Sequence, residues 1–368
     1  APGRYVGAIW IRSREGVGQR LELDLMVRGF KLPEPRLTYG IYYRGVLDPA
    51  GGDSISSELK SERQYMAELA DMLSHGVRAI TLYQKMPSGL VPRALELRAE
   101  AGLPRDRLFT LGYTTGKPTS AHALAELEQK TRAWLALAGA AGYEQLYVYG
   151  VDEAGGRELL RERKAWELVR SLGARVFVAC GKDALLLMGR LLDIAILPYR
   201  PDPVQAAGYH ALGKEVYAYG FPQVAPVAPE TYRRNYGITL WLAGYDGAMP
   251  YAYQHSFGHI WNDFDHQRYR DLAFAYPTVD GVVPTIQWEG FREGVDDVRY
   301  LTALEEAISA AGQNGRTDAE EARRWLESLA LEADLDRMRE EAAQWIERLQ
   351  GGPADPSRSG SQEERGGR

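Results

Sequence analysis

Between Leu37 and Tyr253 the chain alternates short β-type runs with helical runs, and this rhythm limits the fold more than any other feature. The predicted strands are Leu37–Tyr43, Val77–Tyr83, Arg107–Leu111, Gln145–Val151, Arg175–Ala179, Ile194–Leu197, Glu215–Tyr219 and Ala248–Tyr253. The predicted helices between them are Ser61–His75, Val91–Ala101, Ser120–Ala141, Arg157–Leu172, Asp183–Leu191, Pro203–Leu212 and Pro229–Ala243. Several of these stop at a glycine, as at His75-Gly76, Ala101-Gly102, Leu172-Gly173 and Leu212-Gly213, where a left-handed residue ends a helix at least cost. Eight such units over about 250 residues make the pattern of a (β/α)8 TIM barrel. An open, doubly wound sheet is the other solution, but no glycine-rich dinucleotide fingerprint accompanies the strands. Gly112-Tyr113-Thr114-Thr115-Gly116-Lys117 is one residue short of a phosphate loop and lacks its Ser or Thr.

The barrel is expected over residues 34–290. Ahead of it, residues 1–33 hold two candidate strands, Tyr5–Ile11 and Arg20–Val27, around a Gly16-Val17-Gly18 turn. Two strands do not bury a core alone, so they read as the end of a β-domain or as a hairpin packed on the chain after them. Lys31-Leu32-Pro33-Glu34-Pro35 reads as a linker. After a short strand near Val282–Trp288, amphipathic helices are expected within 291–350, at Phe291–Ala311, Asp318–Ala330 and Leu335–Leu349. Residues 351–368 carry almost nothing apolar and are expected to be a disordered, dispensable tail.

A formal charge of −6 with dispersed Lys and Arg argues against a nucleic-acid partner. No run approaches the roughly 20 apolar residues of a membrane span. The first residues do not resemble a signal peptide. The single cysteine, Cys180, rules out an intramolecular disulfide and a cysteine-based metal site. An extracellular or periplasmic setting is expected over a cytoplasmic one.

The candidate chemistry centres on Glu144 to Gly156, EQLYVYGVDEAGG, a strand that runs into two adjacent carboxylates, Asp152 and Glu153. If strand parity holds to its end, Glu153 shares a face with Tyr147 and Tyr149 and Asp152 points the other way. The plain structural alternative is that Asp152 caps the next helix and Glu153 favours its positive end. In such barrels the reacting groups come from the carboxyl ends of the strands. Those ends supply Tyr42, Tyr83, Tyr113, Tyr149, Tyr199, Tyr217, Tyr219 and Tyr253. Aromatic faces cover the C–H surface of a sugar while hydroxyls bond its substituents, so a glycan substrate is expected.

Glycoside hydrolysis normally takes two carboxyl groups from opposite sides of the scissile bond. Strand seven offers tyrosines at its carboxyl end, and Glu215 lies at the wrong end. An acid pair on one strand suits substrate-assisted cleavage instead. There the sugar's 2-acetamido oxygen attacks the anomeric carbon, one carboxyl protonates the leaving oxygen, and the other orients the acetamido N–H.

The Asp152-Glu153 pair and the stretch Gly281-Val282-Val283-Pro284-Thr285-Ile286-Gln287-Trp288-Glu289-Gly290-Phe291-Arg292-Glu293-Gly294-Val295-Asp296-Asp297-Val298-Arg299-Tyr300-Leu301 resemble glycoside hydrolase family 123, the β-N-acetylgalactosaminidases. That stretch looks like a carboxy-terminal signature shared with barrels catalogued as a domain of unknown function. The likeness spans roughly residues 30 to 310. It implies Glu153 as general acid/base, Asp152 as the acetamido-orienting group, and a β-sandwich of which the first strands are a remnant. Ala154 departs from the proline that often follows the pair in relatives.

The resulting expectation is a retaining exo-β-N-acetylhexosaminidase of galactosamine type, with no cofactor and no metal. Rivals are a non-catalytic carbohydrate-binding barrel, or a glycosidase of other specificity with Asp246 or Asp263 as second carboxylate. His255, His259, His266, Asp263 and Asp265 crowd one loop but match no metal motif. Trp261 in that loop is a candidate sugar platform. The oligomeric state is left open.

Overall fold

The computed structural model of the chain describes residues 1–16, 18–48, 50, 55–86 and 89–351. The tail expected to be disordered thus lies, from residue 352 on, outside the described residues. The chain divides into two compact units, residues 35–298 and residues 1–34 with 299–368.

The larger unit is the barrel. Its strands are Thr38–Ile41, Ala79–Ile80, Arg107–Thr114, Gln145–Tyr149, Arg175–Ala179, Ile194–Leu197, Glu215–Ala218 and Gly247–Ala248, here called strands one to eight. Each pairs in parallel with its sequence neighbours, and strand eight pairs back onto strand one through Gly247↔Thr38 and Ala248↔Tyr39. Closure between strands two and three comes from Leu82, whose N–H donates to Phe109 O at 2.7 Å and whose carbonyl accepts from Leu111 at 2.8 Å. Every edge is therefore used, which is how a barrel removes exposed strand edges.

Val148, Val176, Phe177, Val178, Ile194, Ile196, Val216 and Ala248 are fully buried or nearly so, as expected of parallel strands covered on both faces. Several strands are shorter than the sequence predicts, because the chain leaves strand geometry where it starts to build the barrel mouth. Two predicted helices are also interrupted. Arg157–Leu172 divides at Glu162 into Gly156–Arg161 and Arg163–Ser171. Pro229–Ala243 divides at Gly237 into Pro229–Tyr236 and Ile238–Leu242. A Cβ on Gly237 would meet Arg233 O at 2.5 Å and Gly294 O at 3.1 Å, so the break is where two backbones approach.

The signature stretch folds as the strand Val282–Pro284 and then the helix Ile286–Gln313, which starts five residues earlier than predicted. Trp288 and Phe291 are fully buried against Phe274, and Asp297 forms a two-point ion pair with Arg233. Within the barrel unit these signature residues brace the core.

The second unit contains the hairpin Gly3–Arg12 with Gly18–Val27 and the helices Asp318–Glu327 and Leu335–Leu349. Leu304, Ile308, Ala322, Ala342 and Ile346 make its core, with Phe30 and Leu32 against it. The hairpin register puts Tyr5, Ile9, Ile11, Leu21, Leu23, Leu25 and Val27 on one face, all exposed. The opposite face carries the ion pairs Arg4–Asp24 and Arg20–Glu22. That face also carries exposed Val6, Trp10 and Met26, so both faces of the hairpin present apolar side chains. No helix among the described residues is long and apolar enough to cross a membrane.

Candidate active site

Strand four ends at Tyr149, and the backbone then turns sharply. Gly150 permits this, since a Cβ there would sit 3.0 Å from both the Trp166 ring and Val178 Cβ. The Ala154 N–H closes a turn onto Val151 O, and Glu153 adopts φ 49°, the left-handed region that non-glycine residues rarely occupy. Glu153 is the single described non-glycine residue with a positive φ. The pair thus sits on a strained turn, held by the Glu153 N–H donating to Ala179 O at 2.9 Å.

The turn overrides strand parity. Asp152 is the residue that meets Tyr149, whose hydroxyl donates to Asp152 Oδ1 at 2.6 Å. Glu153 reaches across the mouth, where its Oε1 accepts the Tyr219 hydroxyl from the end of strand seven. Neither acid caps the following helix; the N–H of Gly156 instead donates to Asp183 Oδ2 at 2.8 Å. The Tyr149 oxygen also accepts the Ala179 N–H at 3.2 Å and lies 3.0 Å from the Tyr42 hydroxyl. With the Tyr149 proton committed to Asp152, Tyr42 donates. The result is a relay, Tyr42 to Tyr149 to Asp152, with Tyr219 serving Glu153.

Asp152 and Glu153 have hydroxyl partners and no cation partner among the described residues. Partial burial pushes the Asp152 carboxyl above the usual aspartate range, and the Glu153 charge acts the same way. The Tyr149 hydrogen bond opposes both. Burial likewise raises the Tyr42, Tyr149 and Tyr219 hydroxyls, so all three stay neutral donors.

Beside the pair the wall is aromatic. The Tyr42 ring lies 5.4 Å from Tyr251 and 6.4 Å from Tyr219. The Tyr251 hydroxyl lies 2.9 Å from His255 Nδ1 and accepts from Arg44 Nη1 at 3.2 Å. Arg44 is paired to Glu58 and sits over the Tyr83 ring at 5.3 Å. Burial and the Arg44 charge push His255 down to about 4, leaving it neutral at physiological pH. Burial lifts the Tyr83 hydroxyl to about 12.

Of the sequence-predicted site residues, Tyr149 and Tyr219 bond the acid pair directly, Tyr42 reaches it through Tyr149, and Tyr83 joins its aromatic wall. Tyr199 is exposed after strand six with Lys182 Nζ 5.2 Å above its ring. Four others are placed elsewhere. Tyr113 turns out to the helix Ala121–Ala140, its hydroxyl bonded to Thr131, because the ladder shifts register between Thr110 and Thr114. Tyr217 does face inward but at the amino-terminal layer, against Arg107 and Glu215. The Tyr253 hydroxyl donates to Asp71 of helix Glu62–Ser74. Trp261 lies tilted against Tyr276 at 5.1 Å and donates its N–H to Pro277 O, with no hydrogen bond to the acids among the described residues.

Asp246 bonds His210 at the amino end of the barrel, and Asp263 accepts from Tyr276. No cluster of three or more His, Cys, Asp or Glu able to hold a metal occurs among the described residues. Arg44 and Glu58 went unnoticed in the sequence, being 14 residues apart in a connection with no pattern. Tyr251 falls inside the last predicted strand, Ala248–Tyr253, and His255 in the loop after it, and nothing in their spacing joins them.

No family model matches the chain, and no curated protein matches it. Among solved structures, it is similar to a GH113 β-mannanase from Alicyclobacillus acidocaldarius at 11% identity and TM-score 0.43, covering 73% of this chain and 98% of that one. An exo-β-1,4-mannosidase from Opitutaceae bacterium strain TAV5 aligns at 12% identity and TM-score 0.43, over 80% of this chain and 61% of that one. An N-acetylneuraminate lyase from Fusobacterium nucleatum aligns at 9% identity and TM-score 0.37, over 86% and 96%. Likeness at this level assigns neither activity nor residue roles, and the barrel stands on its own strand pairing.

Proposed function

We propose that the chain is a glycosidase, a retaining exo-β-N-acetylhexosaminidase acting on galactosamine-type sugars with the help of their 2-acetamido group. The observation that carries this reading is the acid pair itself. Two adjacent carboxyls, with no cation partner among the described residues, share one strained turn at a barrel mouth walled by tyrosines, and each takes a tyrosine hydroxyl. At the ends of strands seven and eight the wall presents Tyr219, Tyr251 and His255. A carboxylate facing the pair from there is what a conventional enzyme nucleophile would require.

In this mechanism the acetamido carbonyl oxygen attacks the anomeric carbon as the glycosidic C–O bond breaks. Glu153 gives its proton to the leaving oxygen, and Asp152 accepts the acetamido N–H, whose positive character grows as the oxazolinium ring closes. Water then attacks the anomeric carbon, giving a proton back to Glu153, and the ring reopens with net retention. Tyr149 and Tyr42 hold Asp152 in its accepting orientation. The apolar faces of the tyrosine wall suit the C–H side of a pyranose.

The test is a panel of aryl β-glycosides with and without a 2-acetamido group, with a thiazoline mimic of the cyclised sugar as inhibitor. Turnover restricted to acetamido sugars, together with thiazoline inhibition, is expected. Failure of the mimic, with azide rescue of an alanine variant as an inverted glycosyl azide, would reveal an enzyme nucleophile; Asp183 and Glu58 would then be the side chains to try.

A further inference from the structure

Behind the acid turn lies a carboxyl group that the chemistry above does not use. Glu162 is fully buried at the break between helices Gly156–Arg161 and Arg163–Ser171. Its Oε2 accepts the Val151 N–H at 2.9 Å, the Trp166 indole N–H at 3.0 Å and the Thr115 hydroxyl at 3.4 Å. Its Oε1 has no hydrogen-bond partner among the described residues. Burial pushes this carboxyl above the usual glutamate range, against the pull of those three donors and of Lys117.

A buried carboxyl with a half-satisfied head and no ion pair among the described residues is a costly core residue. An apolar side chain would fill the same place at less cost, so stability does not explain it. What it touches does. Val151 immediately precedes Asp152, and Thr115 receives strand four through its N–H on Tyr149 O at 2.9 Å. Trp166, oriented by the same oxygen, is the wall against which Gly150 packs. One carboxyl oxygen therefore ties the ends of strands three and four at the point where the chain departs into its left-handed turn.

We propose that Glu162 is the positioning residue of the acid pair. It fixes the Val151 peptide where Asp152 reaches the Tyr149 hydroxyl and Glu153 reaches Tyr219. This rests on the reading that Asp152 and Glu153 perform the chemistry, and the test separates the two.

Glu162→Gln keeps an oxygen acceptor for Val151, Thr115 and Trp166, and Glu162→Leu removes it at similar size. Misplacement of a reacting group by about 1 Å costs on the order of 100-fold. The Leu variant is therefore expected to lose about 10- to 100-fold in kcat with KM little changed, and the Gln variant to recover most of that loss. Val169→Ala, in the apolar core of the same helix, supplies a matched loss of melting temperature and is expected to keep kcat. The second readout needs no turnover. In carbon-13 NMR titrations of labelled aspartate, the Asp152 carboxyl should move in the Leu variant and stay near wild type in the Gln and Val169→Ala variants. If the Leu variant melts early yet keeps kcat and an unmoved Asp152 titration, Glu162 is a structural residue only and the proposal is overturned. If wild type hydrolyses nothing but the Leu variant still moves Asp152, positioning stands and the glycosidase reading falls.

Discussion

The carboxylates at the amino-terminal end of the barrel and the acid pair at its mouth are treated in opposite ways. At the amino-terminal end Asp193 is met by Arg170, Arg175 and Lys214, and it also accepts the Val176 N–H. Glu215 is paired to Arg107 at 2.7 Å, and Asp246 to His210 at 2.9 Å. At the carboxyl-terminal end Asp152 and Glu153 receive hydroxyls, with no cation partner among the described residues. Paired charges hold strands in register, whereas carboxylates kept clear of cations remain able to take and release protons. The same residue types thus brace one end of the barrel and, in the proposed function, serve the substrate at the other.

The largest effects should come from crossing this divide. Asp193→Ala leaves three cations around an empty place in a mostly buried site. It is expected to cost about 3 kcal/mol of stability, the low end for a buried pair broken on one side, because Arg175 still reaches solvent. Chemical denaturation reads this loss directly. Activity per folded molecule at low temperature should be unchanged; a selective loss of kcat would mean the two ends are coupled.

Next come the acids themselves. Asp152→Asn is expected to lower kcat about 100-fold or more on every substrate, because it weakens the acetamido attack. Glu153→Gln should be as damaging on poor leaving groups but much milder on activated aryl glycosides, which need little proton donation. Equal losses across leaving groups in both variants would break the division of labour between them.

A smaller effect should come from Tyr149→Phe. The Tyr149 hydroxyl favours ionised Asp152, so its removal lets burial push that carboxyl further up. The proposed mechanism needs Asp152 ionised, so activity should begin to fall at a higher pH on acidification than in wild type. An acid limb that stays in place would show that the relay does not control Asp152.

Much of this arrangement was legible in the sequence, and what was hidden has physical causes. Eight strands, their order and most helix ends come from local pattern and from glycine stops such as Gly76 and Gly173. The acid pair also fell at the predicted strand end. Its side-chain directions did not, because parity stops at Tyr149 and the Glu153 turn is imposed by Ala179 and Glu162 from other elements. Tyr113 was displaced by a register shift that depends on the partner strand, and Tyr253 was drawn to Asp71 on a helix 182 positions away in sequence. Period-two reasoning gives the face of a strand but not the depth along the barrel axis. Tyr217 therefore pointed inward as expected and still lies in the amino-terminal layer.

The subtlest contrast concerns stability at the mouth. Asp152 has a carboxyl raised in the folded chain, with burial as the main cause. For an acid shifted upward, folding is penalised at pH above the folded value, where the group is ionised in both states. The penalty disappears below the ordinary aspartate range, where it is protonated in both. Asp152→Asn removes the charge while leaving an oxygen for the Tyr149 hydroxyl. The variant should thus melt no lower than wild type at neutral pH, and slightly higher if little is lost in that hydrogen bond. Any advantage should shrink as pH falls toward about 4. The gain is expected to be small, because Asp152 is open to the mouth and solvent screens it. Melting curves at neutral and acidic pH for this variant, beside those of Asp193→Ala, set the two ends against each other. A loss at neutral pH comparable to that of Asp193→Ala would mean that Asp152 braces the barrel as Asp193 does, and the functional reading of the mouth would lose its physical basis.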